Sequence, residues 1–222
     1  MRLRLTLDGV LTVVLSGCAI AMTALVVRRE FVSPKRAREP RGISESIANS
    51  TAFRVGGQTI GAKAAPVAIV EFSDFQCPYC ATLSTRLVDV RRKYGDSISV
   101  RYRHFPLTRI HDFALMAAVA SECAGDQGRF ESFHDALFTR QAEIGKIAWS
   151  EFARMAAVPN DHLFQQCLDS KEIRKRVDKD VAAALKLELQ GTPAVLVNDQ
   201  LIRGAPTLAE LDSLIALALS RR

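Results

Sequence analysis

The sequence predicts a mixed α/β domain with an inserted layer of helices, set behind an apolar N-terminal segment. Three patterns lead there. The apolar run Val67-Ala68-Ile69-Val70 gives way to a helical pattern over 78–93, and a second strand pattern follows over 98–104. A long stretch of helical periodicity comes next, and the chain closes with two short strands and a last helix.

Taken in order, strand 67–72 leads into helix 78–93, which Gly95-Asp96 stops, and then into strand 98–104. This is a βαβ unit, whose crossover is expected to be right-handed. Apolar positions at helical spacing follow at Phe113, Met116, Ala117 and Ala120, then Phe130, Phe133, Leu137 and Phe138. Two further sets are Trp149, Phe152 and Met155, then Leu163, Phe164 and Cys167. Together they define a helical insert at about 108–170. Ile173, Val177, Val181, Leu185 and Leu189 recur every fourth residue along a longer helix expected to end at Gly191. Strands at about 194–198 and 201–203 come after Pro193, and Thr207-x-x-Glu210 has the form of a capping box opening the last helix.

Composition fits one domain after about residue 51. The chain is 48% hydrophobic, enough to fill a core. Net charge is +6, but residues 1–45 hold eight Lys or Arg against four acids, leaving 22 against 20 in the remainder. The basic balance therefore belongs to the N-terminal segment. It does not argue for nucleic acid, and no interleaving of basic and aromatic residues suggests it either.

Organisation follows from the same reading: a short flank at 1–9, a membrane anchor or signal segment at 10–27, a flexible basic linker at 28–51 and the folded domain at 52–222. Val10 to Val27 carries no charge and at helical rise spans about 27 Å, close to the hydrocarbon core of a bilayer. An uncleaved anchor is the reading taken. A cleaved signal peptide is its rival, and Leu15-Ser16-Gly17-Cys18 resembles a lipoprotein processing box that would lipidate Cys18. Orientation is in conflict: Arg28, Arg29, Lys35, Arg36, Arg38 and Arg41 after the span outnumber Arg2 and Arg4 before it, which points the domain to the cytoplasm. Cys123 and Cys167 look like a second pair that suits an oxidising compartment.

The chemistry centres on Cys77-Pro78-Tyr79-Cys80 at the strand-to-helix junction. Haem attachment requires His after the second Cys, where this chain has Ala81. Tetrahedral zinc needs about four ligands, and Cys18, Cys123 and Cys167 stand alone. No metal is expected. Pro78 suits the first helical position, so Cys77 falls at the N-cap, where unpaired N–H groups and the helix dipole favour a thiolate. Such exposed cysteines titrate anywhere from about 3.5 to 7.5. Cys80, one turn further, is expected to be buried and to resolve mixed disulfides. The alternative is an inert structural pair.

Glu71-Phe72-Ser73-Asp74-Phe75-Gln76-Cys77-Pro78-Tyr79-Cys80, Arg103-His104-Phe105-Pro106-Leu107 and Gly191-Thr192-Pro193-Ala194 together resemble the DsbA-like branch of the thioredoxin superfamily. The resemblance runs from about Thr51 to the C-terminus. It implies a thioredoxin fold with the helical insert, and a thiol:disulfide oxidoreductase of the bacterial cell envelope that needs no cofactor. By it Cys77 attacks, Cys80 resolves, and Pro193 is a cis-proline whose loop, with Thr192 and Tyr79, meets an extended substrate peptide. Glu71 matches a buried acid six residues before the first cysteine, which implies a proton donor or acceptor for Cys80. From the residues, the alternative is a hydrated carboxylate at the wet end of its strand, and the functional reading is the one favoured.

Partners implied are cysteine-containing proteins and a membrane redox protein that reoxidises or reduces the dithiol. The domain is accordingly placed outside the cytoplasmic membrane, on a single-pass anchor in the bacterial inner membrane. Where family members often have His, this chain has neutral Tyr79. The expected reduction potential is therefore less oxidising than the strongest members, about 120 to 230 mV negative. Tyr79 and Thr192 leave oxidase and reductase or isomerase directions open. A peptide-binding chaperone with an incidental dithiol and a Cu(I) carrier are the readings from other classes. Cys123 and Cys167, on apolar helix faces, are either buried free thiols or a disulfide pinning the insert, and the disulfide is expected. His104, His111 and His134 read as scaffold residues, and Arg174-Lys175-Arg176 as a solvated helix face.

Overall fold

The computed structural model describes residues 44–221, so the apolar segment at 10–27 and most of the basic linker lie outside the described residues. Strands β1 (Ser44–Ser46), β2 (Gln58–Ile60), β3 (Val67–Ser73), β4 (Ile98–His104), β5 (Ala194–Val197) and β6 (Gln200–Arg203) form one sheet in the order β1-β6-β5-β3-β4-β2. Only β3 and β4 run parallel, and helix α1 (Pro78–Tyr94) makes their crossover. Helices α2 (Ala114–Asp126), α3 (Phe130–Thr139), α4 (Trp149–Met155) and α5 (Asp161–Cys167) make up the insert, followed by α6 (Lys171–Lys186) and, after β6, α7 (Leu208–Ser220). No helix among the described residues is long and apolar enough to cross a membrane.

Alternation along β3 sorts the core. Val67 and Ile69 face α1, α7 and the insert, in one cluster with Leu83, Leu87, Ile98, Val100, Val195, Leu211 and Phe133. Val70 and Phe72 face the other way, against Leu196, Ala184 and Leu187. All seven residues of β3 are buried, as expected for a central strand covered on both faces. The Thr207 capping box is present, with the Thr207 hydroxyl accepting from the Glu210 N–H and the Glu210 carboxylate accepting from the Thr207 N–H.

Four expectations need correction. The linker reading runs to residue 51, yet Ser44–Ser46 pair with β6 and Ser50–Arg54 form a 3-10 turn. Edge strands of three residues carry no periodicity to read. β2 is similar, and it reaches β4 because Gly57, at φ +64°, has no Cβ to strike the Tyr102 carbonyl, which would lie 2.2 Å away. The long helix ends at Lys186 rather than Gly191, and Leu185 is 59% exposed. Burial follows Ile173, Val177, Asp180 and Ala184, because a strict fourth-residue stripe rotates about 40° per repeat around a helix of 3.6 residues per turn. Phe113, Met155 and Leu163, placed on apolar faces from the sequence, are exposed.

Candidate functional site

The dithiol sits where β3 meets α1. Cys77 is the N-cap of α1 with Pro78 at the first helical position, so its sulfur lies at the helix N-terminus near the Tyr79 and Cys80 N–H groups, the second of which also donates to the Cys77 carbonyl at 3.1 Å. Both thiols are free in this structure. Cys77 is only 4% exposed, less than an exposed nucleophile would be, whereas Tyr79 is 68% exposed beside it. The Cys77 thiol donates to the Thr192 carbonyl at 3.3 Å, and the Thr192–Pro193 bond is cis. Thus residues 115 apart in sequence meet at one sulfur.

Hydrogen bonding from the Cys80 thiol lowers the Cys77 pKa to about 5, against the opposing effect of burial; the nearby Thr192 hydroxyl, although it lies outside hydrogen-bonding geometry, and the Cys80 and Tyr79 N–H groups add to the lowering. Cys80 is fully buried, and burial pushes its thiol far up. Glu71 is fully buried too, not at a wet strand end. Burial raises its carboxyl from 4.5 to about 7. The nearby Ser73 hydroxyl pulls the other way, although it lies outside hydrogen-bonding geometry here, and the Cys77 thiolate raises Glu71 further. The site therefore combines an easily ionised thiol, a reluctant one and an acid poised near neutrality.

Several residues that hold this site escaped the sequence reading. Buried Asp74 accepts from the Gln76 N–H and the Leu107 N–H, both at 2.8 Å, and lies 2.8 Å from His111 Nδ1. The Asp74 to Gln76 contact is an Asx turn, which Ser73-Asp74-Phe75-Gln76 could have signalled. Gln141 Nε2 donates to the Phe75 carbonyl at 2.8 Å and the Cys77 carbonyl at 3.0 Å, and Gln76 Oε1 accepts from the Phe113 N–H at 2.7 Å. No local pattern marks Gln141. His104 Nε2 lies 3.1 Å from Glu122 Oε1 within the core, and the Arg176 end of the basic run reaches Glu122 and Asp126.

Beside the cis-proline runs a cleft of about 500 Å³ lined by Glu188, Gln190, Gly191, Thr192, Pro193 and Arg203. A second groove of about 270 Å³, walled by Phe105, Leu107, Ile110 and Leu185, shares Leu189 and Gln190 with it. Cys123 and Cys167 form a disulfide, with Cα atoms 5.7 Å apart, tying α2 to α5. Among the described residues, no group of three or more His, Cys, Asp or Glu side chains could hold a metal ion.

Comparison with solved structures places the fold. A thioredoxin-like oxidoreductase from Silicibacter pomeroyi superposes with a TM-score of 0.67 at 24% identity, over 78% of this chain and 99% of that one. The thiol-disulfide exchange protein alpha-DsbA2 from Wolbachia pipientis gives 0.65 at 18% identity, over 72% and 86%. The fold is thus the DsbA-like fold, a thioredoxin core with a helical insert. The thioredoxin family model matches residues 54–216, and the chain belongs to that family. A curated relative, Na(+)/H(+) antiporter NhaA 1 of Mycolicibacterium gilvum, is 36% identical over 151 residues, 66% of this chain and 24% of the relative. The chain spans about a quarter of the length of the curated relatives it matches.

Proposed function

We propose that the chain is a thiol:disulfide oxidoreductase that oxidises cysteine-containing proteins through Cys77 and Cys80. The observation that carries this is the Cys77 sulfur at the N-cap of α1, beside the Thr192–Pro193 turn and the cleft it borders. In the oxidised enzyme a substrate thiolate attacks Cys77, the Cys77–Cys80 bond breaks, and Cys80 leaves and takes up a proton. A second substrate thiol then attacks the mixed disulfide, and the substrate departs oxidised, leaving the dithiol. Glu71 supplies and retrieves the Cys80 proton. Pro193 and Thr192 present the backbone along which an extended peptide aligns, with Tyr79 exposed at the rim.

Direction follows from the thiolate. Stabilising ionised Cys77 stabilises the reduced enzyme, which makes its disulfide a better oxidant. A membrane redox partner restores the disulfide. The Cys123–Cys167 bond favours an oxidising compartment, and the uncharged stretch at 10–27 favours a domain tethered to the outer face of a bacterial inner membrane.

The test is oxidative refolding of a reduced secreted protein. The oxidised enzyme is expected to transfer disulfides stoichiometrically, and Cys77→Ser to abolish transfer. A Cys77→Ser, Cys80→Ser variant that still suppresses aggregation of the substrate, beside a wild type that transfers no disulfide, would point to the chaperone reading. Copper retained by the purified dithiol, again without transfer, would point to a Cu(I) carrier.

A further inference from the structure

Four polar atoms are buried without a hydrogen-bond partner on the sheet face beneath the dithiol: both Glu71 oxygens, Ser73 Oγ and the Tyr102 hydroxyl. Buried polar atoms in native proteins are overwhelmingly paired, so such a concentration asks for a reason. Register explains how they meet. Glu71 and Ser73 are two apart on β3 and share the face turned to α1, and Glu71 pairs directly with Tyr102 on the parallel neighbour β4. On its other side β5 sets Val195, which offers nothing polar. Tyr102 has little freedom: its ring stacks on Phe75 at 5.0 Å and meets the rings of His104 and His134, each at 5.2 Å. Cys80 belongs to the same buried cluster.

We propose that the Ser73 and Tyr102 hydroxyls are positioning residues for proton transfer between Cys80 and Glu71, donating hydrogen bonds to the ionised Glu71 carboxylate. This rests on the dithiol-exchange reading and adds to it the groups that hold Glu71 ready. When a mixed disulfide is resolved, the Cys80 thiol passes its proton to Glu71. The Cys80 sulfur then bonds to the Cys77 sulfur, the Cys77–substrate bond breaks, and the substrate leaves as a thiolate. In the oxidising direction the same proton returns from Glu71 to departing Cys80. Burial raises the Tyr102 hydroxyl well above its ordinary value, so it stays protonated and acts as a donor, not a base. The titratable groups facing Glu71 are Cys77 and Cys80 from α1 and Tyr102 from β4; α7 presents Leu211, Leu214 and Ile215 to this core, and His104, His134 and Asp74 surround Tyr102.

The experiment is a titration of the Glu71 carboxyl in the reduced full-length protein by infrared difference spectroscopy, with Glu71→Gln identifying the band. Tyr102→Phe and Ser73→Ala are each expected to move the midpoint upward by about half to one unit. Resolution of a mixed disulfide near pH 6.5 should slow about three- to tenfold, and the slowing should vanish in the Glu71→Gln background. An unmoved or lowered midpoint overturns the proposal, as does a Tyr102→Phe effect that persists in Glu71→Gln. Should Tyr102→Phe not fold, Ser73→Ala carries the same test. The titration needs no activity, so its failure is distinct from failure of the enzyme reading, which appears as absence of disulfide transfer by the wild type.

Discussion

Glu71 takes the place of an apolar residue in the row Val67, Ile69, Glu71, and the row around it stays dry. Its carboxyl is raised from 4.5 to about 7, so the native state binds the proton more tightly than the unfolded chain. The stability held by neutral Glu71 is complete below about pH 4.5 and is lost as pH rises through about 7. In a Cys77→Ala background, which removes the thiolate, Glu71→Gln is therefore expected to stabilise the protein by up to about 3 kcal/mol at pH 8 and hardly at all at pH 4, measured by urea unfolding. Cys77 has the opposite sign. Its lowered pKa gives the reduced protein a stability that is present at alkaline pH and lost as pH falls through about 5. Thiolate absorbance near 240 nm should titrate at that pH, and Thr192→Val should shift the midpoint upward. An unchanged midpoint in Thr192→Val would remove the hydroxyl from the account.

Two long-range ties connect elements. The Cys123–Cys167 disulfide closes a separation of 44 residues between α2 and α5. Loop-closure entropy for such a span predicts that Cys123→Ser, Cys167→Ser costs about 3 to 4 kcal/mol in urea unfolding while leaving the Cys77 titration in place. Loss of the Cys77 titration would instead mean that the insert shapes the dithiol directly. The second tie is the buried Arg103–Asp180 pair at 2.8 Å between β4 and α6, extended by the His104 N–H to Asp180 Oδ2 at 3.1 Å and by Arg103 to the Phe53 and Val55 carbonyls. Asp180→Ala strands a buried guanidinium and should cost about 3 to 5 kcal/mol, whereas Arg103→Met with Asp180→Leu should recover most of it. A small effect of Asp180→Ala alone would show that water reaches Arg103.

At the scale of the whole molecule, the fold brings the dithiol, a buried acid and a cleft of about 500 Å³ together around the Thr192–Pro193 segment. Equilibration with glutathione is expected to give a potential about 120 to 230 mV negative, set by the depressed Cys77 against the absence of a cation at Tyr79. Trapping thiols in living cells should find Cys77 and Cys80 mostly oxidised. A mostly reduced pair would turn the enzyme into a reductase and restore the cytoplasmic orientation that the basic residues after the apolar segment favour.

Much of this was legible in the sequence because it rests on contacts a few residues apart. The β3–α1–β4 unit, the N-cap position of Cys77 before Pro78 and the Thr207 capping box follow from neighbours that never leave one another. Leu185 shows the limit even there: a periodic stripe names a helix but not how far that helix turns its face from the core. Whether Glu71 is dry, which hydroxyl lies opposite it, and which distant loop and side chain, Thr192 and Gln141, fasten Cys77 were decided only by the tertiary structure. The reason is physical. Backbone propensity and capping act through adjacent residues, whereas desolvation and cross-strand register depend on chain segments that lie tens to more than a hundred residues away.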